Sequence, residues 1–141
     1  MINSTVIAAA LVLGQTGYVW TLYENDPAVT LAHEQPDTAA LKTTLECDRG
    51  SGAAKLSIYG ATAIPAFVTV RSGQASAAAE SGALAGAPDA LTTTIRTDHP
   101  VFSAFAASGA LTVVAGASDL TVKVGQADLA KLRRFTQLCS G

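Results

Sequence analysis

The sequence predicts a mainly β fold, a β-sandwich or small barrel of about eight strands with one short helix and a C-terminal helix. Three observations carry that reading. Apolar residues recur at every second position in stretch after stretch between Tyr18 and Val124. Short clusters of Gly, Pro, Asn, Asp and Ser, the residues that tight turns require, separate the stretches. Charged residues are only 14% of the 141-residue chain, against roughly 25% in ordinary globular proteins, and Ala, Thr, Ser and Gly take their place. Such a surface suits short strands better than long helices. The 49% hydrophobic content argues against disorder, and the length suits one domain with a substantial core.

Residues 1–14 form an apolar run too short to cross a bilayer as a helix. At this place in the chain it reads as the core of a signal peptide, with Val12-Leu13-Gly14 suiting a signal peptidase. The mature protein is then expected to begin near Gln15 or Tyr18, as a single β-rich domain over residues 15–141. No Lys or Arg precedes the run, and the alternative is a first strand or buried helix of the domain.

Tyr18 to Tyr23 alternates, with Tyr18, Trp20 and Leu22 on one face, and Asn25-Asp26-Pro27 turns the chain into a second strand, Ala28 to Ala32. Leu41 to Cys47 is the clearest strand: Leu41, Leu45 and Cys47 share a face, and Lys42, Thr44 and Glu46 take the other. Asp48-Arg-Gly-Ser-Gly52 connects it to Ala54–Tyr59 as a hairpin, and Ala66 to Arg71 follows. From Gln74 to Pro88 the residues are nearly all small, which fits either a weak edge strand with a loop or a loop throughout. Leu91 to Arg96 resumes the strand pattern. Asp98 reads as a helix N-cap, with Pro100 in the first turn, Phe102, Phe105 and Ala106 on one face, and Gly109 closing the helix. Leu111–Ala115 and Leu120–Val124 form a second hairpin. Gln126 to Cys139 is helical, because Leu129, Leu132, Phe135 and Leu138/Cys139 recur at three- to four-residue steps, with Lys131, Arg133 and Arg134 largely toward solvent.

The two cysteines, Cys47 and Cys139, allow a single pairing. A disulfide would tie down a late C-terminus and close 139 − 47 = 92 positions, contributing up to about 4.6 kcal/mol in the chain-entropy model. Two buried free thiols are the alternative. Disulfides persist in oxidising compartments, so together with the apolar start the pairing places the protein in the periplasm or outside the cell.

No motif with chemistry in it stands out. His33 and His99 have none of the paired ligand spacing of zinc sites, so no metal or organic cofactor is expected. Arg49-Gly-Ser-Gly52 lacks the spacing of a nucleophile elbow and the lysine of a phosphate loop, and reads as turn chemistry. Glu24, Asp26, Glu34 and Asp37 gather in the first turns, where Asp and Asn serve the backbone. With a net charge of −2 and no basic run beyond Lys131, Arg133 and Arg134, nucleic acid is not an expected partner. Tyr23 and Tyr59, opposite the apolar faces of their strands, and His33 and His99, at element ends, make up the candidate binding surface.

The segments Trp20-Thr-Leu, Val29-Thr-Leu, Leu45-Glu-Cys-Asp-Arg-Gly-Ser-Gly52 and Phe135-Thr-Gln-Leu-Cys139 resemble small exported alphaproteobacterial domains of unassigned function. The Gly109-x-Leu111 strand and C-terminal helix resemble the tail of the invasion-associated locus B family. The resemblance covers about a third of the chain, implies export and a β fold, and carries no catalytic motif. The expected function is a non-enzymatic binding or assembly module of the bacterial cell envelope, its partner a protein or envelope component. An envelope hydrolase with a site assembled by the fold, and an inhibitor or structural subunit using an exposed strand edge, are the alternatives.

Overall fold

The computed structural model describes residues 17–141, so the signal-peptide reading of residues 1–14 lies outside the described residues. The protein is mainly β. A first meander holds β1 (Val19–Glu24), β2 (Ala28–Glu34), β3 (Leu41–Asp48) and β4 (Ala53–Ile58). A second holds β5 (Phe67–Ser72), β6 (Ala75–Leu84) and β7 (Ala87–Arg96), and the last hairpin is β8 (Ala110–Ala115) with β9 (Ser118–Lys123). Two helices, α1 (Pro100–Ser108) and α2 (Leu129–Cys139), complete the chain, α2 following a short 3-10 turn at Gln126–Asp128. All nine strands join one antiparallel sheet in the order β1-β2-β3-β4-β7-β6-β5-β8-β9.

The segment left open between strand and loop supplies the ninth strand. It is not an edge: Ala75–Glu80 pair with β5, and Ser81–Leu84 pair with β7. Its run of Ala, Ser and Gly has no hydrophobic alternation to read, yet a strand paired along its length by backbone hydrogen bonds, first to β5 and then to β7, does not need one. Beyond Ser81 and Thr93 the two neighbours part, and Thr93 Oγ1 donates to Glu80 O across the fork at 2.7 Å.

The sheet curls into a half-barrel: of the β-sandwich or small barrel expected, the structure has the single curled sheet of a barrel, left open, and not a closed sandwich. Its edges, β1 and β9, meet through a side chain instead of a ladder: Trp20 Nε1 donates to Lys123 O at 3.1 Å. The helices pack on the concave face. The connection from β7 to β8 must pass β6 and β5, so α1 lies on those strands and buries Val101, Phe102 and Phe105, with the two rings edge to face at 5.8 Å. α2 buries Leu129, Leu132, Phe135 and Cys139 against β1, β2 and α1.

The α1 cap differs from expectation by one residue. His99 Nδ1 accepts from Val101 N–H at 3.0 Å, while Asp98 forms a salt bridge with Arg96. Asp98 is the commoner capping type, but a bidentate contact with the guanidinium two residues back turns its carboxylate away from the helix. Gly109 ends α1 in the left-handed conformation, as expected (φ 79°). Two of the three cations assigned to solvent on α2 are also engaged. Lys131 Nζ donates to Trp20 O at 2.8 Å, and Arg134 pairs with Glu24 at 3.0 Å, so both tether the helix to β1.

Cys47 and Cys139 form the disulfide, with Cα atoms 5.9 Å apart. The β3–β4 turn completes the joint. Gly50 N–H donates to Leu138 O at 3.0 Å and Gly52 N–H to Cys139 O at 2.7 Å. Carbonyls at the end of α2, which its own ladder cannot satisfy, are thereby taken up. Asp48-Arg-Gly-Ser-Gly52 is thus turn chemistry with a task, docking the C-terminus. Among the described residues no helix is long and apolar enough to cross a membrane.

Candidate functional site

Where the edges of the half-barrel meet, one row of side chains crosses the sheet on its inner face: Trp20 opposite His33, His33 opposite Thr43, Thr43 opposite Ile58. Directly opposed residues of antiparallel strands share a face, so His33 occupies a core-facing position and is only partly exposed. Its ring stacks on Trp20, with centroids 4.5 Å apart and planes within 6°, and Tyr18 meets it edge-on at 5.7 Å. Burial holds the His33 imidazole below its ordinary pKa; the Lys42 charge acts in the same sense and Asp128 opposes it. The ring is therefore neutral at pH 7, with one N–H donor and one acceptor.

The register between β2 and β3 slips here. His33 pairs with Thr43 and Glu34 with Leu41, so Lys42 is the extra residue of a β-bulge. Bulges re-aim side chains. The Lys42 ammonium lies over the Tyr18 ring, 4.6 Å from its centroid, and not along the outer face that strict alternation assigns it. Tyr59, just past β4, donates its backbone N–H to Lys42 O at 3.0 Å.

These groups border a cavity of about 360 Å³ lined by His33, Lys42, Thr43, Ile58, Tyr59, Thr121, Val122 and Lys123. It lies between β2–β4 on one side and edge strand β9 on the other. Apolar floor, hydroxyls and cationic rim make it a site for a small polar molecule, within the usual size of ligand pockets. Among the described residues its lining has no carboxylate, serine or cysteine.

Of the four candidate residues, the structure brings His33 and Tyr59 together and leaves the others apart. The Tyr23 hydroxyl donates to Glu34 on the outer face of the β1–β2 pair, which raises the pKa of the phenol. His99 is committed to its helix cap and borders a separate cavity of about 210 Å³ with Val70, Ala77, Ile95 and Arg96. Lys42, Thr43, Thr121 and Lys123 were missed. Lys42 and Lys123 look like outward strand lysines in the sequence, and only the bulge and the meeting of the two sheet edges bring them to one opening. Among the described residues no three His, Cys, Asp or Glu side chains converge as a metal site requires. The early carboxylates are also dispersed: Glu24 pairs with Arg134, and Glu34 accepts from Tyr23.

Compared with family models, with curated proteins and with solved structures, the chain matches none of them.

Proposed function

We propose that this protein is an exported, non-enzymatic binding module of the bacterial cell envelope, and that the cavity between β9 and strands β2–β4 is where it binds a small molecule. The observation that carries the reading is the geometry at that cavity. A preformed opening of about 360 Å³ is bordered by His33, itself stacked on Trp20, by two lysines and by hydroxyl-bearing side chains. Binding needs donors and shape; hydrolysis needs in addition a nucleophile, a base in hydrogen-bond reach of it and a third group that orients the base. The lining holds His33 and hydroxyls but, among the described residues, no carboxylate to orient the imidazole, which favours the former over the hydrolase alternative.

Export is supported by the apolar run at residues 1–14, by the buried Cys47–Cys139 disulfide and by the resemblance to exported alphaproteobacterial domains. Protein taken from its native compartment should begin near Gln15 or Tyr18 and gain two hydrogens on reduction. A native chain that keeps Met1, or two alkylatable thiols before reduction, would remove the export reading.

Binding is tested by a thermal-shift screen of envelope metabolites with the parent and a Thr121→Trp variant. Thr121 is exposed on edge strand β9, so the indole would obstruct the opening without disturbing the core. Ligands that raise the parent's melting temperature should fail to raise the variant's. Equal shifts in both proteins would place binding elsewhere.

A further inference from the structure

We propose that the ligand of this cavity is a small acid carrying at least two negative charges, its carboxylate or phosphate oxygens held between Lys42 and Lys123. The inference rests on the cavity being the binding site and adds the chemical class of what enters it. Nine Lys and Arg residues occur in the chain, all within the described residues. Five have a carboxylate partner: Arg49, Lys55, Arg96, Lys131 and Arg134. Among the described residues, four have none, and two of those four border this one cavity. That pairing of unmatched cations stands in a chain whose net charge is −2.

Each lysine is also anchored, one through its side chain and one through its main chain, in a way that leaves its charge uncompensated. Lys42 is aimed by the bulge and steadied over the Tyr18 ring, and a ring face attracts an ammonium without neutralising it or taking up all its N–H donors. Lys123 is fixed at its backbone, where Trp20 Nε1 donates to its carbonyl oxygen. One ammonium aimed by the bulge, a second on the facing edge strand, the His33 N–H and nearby hydroxyls match an oxyanion cluster better than a neutral ligand, whose binding would leave both cations without a partner. Carboxylate and phosphate share this chemistry.

The single tryptophan gives the readout, because Trp20 stacks on the cavity-lining His33. Its fluorescence would be titrated with citrate, with inorganic phosphate and with glucose as a neutral probe, in the parent and in Lys42→Gln, Lys123→Gln and Arg71→Gln. At least one acid should saturate the signal, weaken as salt is added, and lose about tenfold or more in affinity in each cavity variant while Arg71→Gln binds as the parent does. Preference for citrate would assign carboxylate, preference for phosphate the other oxyanion. Acid binding that survives both cavity substitutions would overturn the proposal, as would neither acid moving the signal. Glucose saturating the signal while the acids do not would remove the acid and leave the cavity standing as the binding site.

Discussion

Lys42 faces the cavity because β3 carries one residue more than β2 between paired positions, and nothing in the alternation of Leu41 to Cys47 announces that excess. The pattern correctly sorted Leu45 and Cys47 inward and failed only at the bulge, since periodicity reads faces and not register slips. Trp20 was legible as core but not as a strap. Trp20→Phe keeps an aromatic side chain but shrinks it and loses the donor to Lys123 O, so denaturant unfolding should show a loss of about 1–3 kcal/mol, and the seam between β1 and β9 should gain faster amide exchange. Gly109→Ala should be costlier than an ordinary surface change. Its φ is +79°, and an added Cβ would overlap the Val124 carbonyl oxygen, so a loss of at least about 2 kcal/mol is expected in the same measurement. His33 gives a pH dependence. Its folded pKa lies below the ordinary 6.5, so between the two values the unfolded chain binds more protons. Stability should therefore hold above pH 6.5 and fall as the solution is acidified below it. His33→Gln should flatten that part of the melting-temperature profile; an unchanged slope would assign it to other groups.

At the level of elements, strong periodicity was readable and small residues were not. The β3–β4 and β8–β9 hairpins and α2 all lie where their apolar repeats place them. β6 escaped because Ala, Ser and Gly look alike on both faces, although its place between β5 and β7 makes it central to the sheet. The short helix α1 was legible from Pro100, the two phenylalanines and Gly109, but its cap was not, because the Arg96–Asp98 pair competes for the better capping side chain. α2 is held at both ends, by Lys131 and Arg134 to β1 and by Cys139 to β3. Replacing both cysteines by serine should lower unfolding free energy by about 2–4 kcal/mol. It should also release Gly50 and Gly52 N–H to exchange, since their acceptors sit on Leu138 and Cys139. A double variant as stable as the parent would mean that the turn contacts alone hold the helix.

On the scale of the molecule, the class of fold was legible and its closure was not. Counting strands does not say whether a curled sheet seals its edges, and here one indole hydrogen bond spans the gap that a ladder would have filled. The candidate site is a consequence of that incomplete closure, which explains why His33 and Tyr59 could be picked out singly while Lys42, Thr121 and Lys123 could not be joined to them. The most direct test is heteronuclear NMR of the isotopically labelled protein with a ligand from the screen, following backbone amides and the His33 ring. Shift changes should centre on His33, Lys42, Tyr59 and Thr121–Lys123, with the cavity at the β6–β7 fork, lined by Ala78, Glu80 and Thr93, unaffected. Changes centred on that fork, with the His33 ring undisturbed, would contradict the assignment of function to the seam.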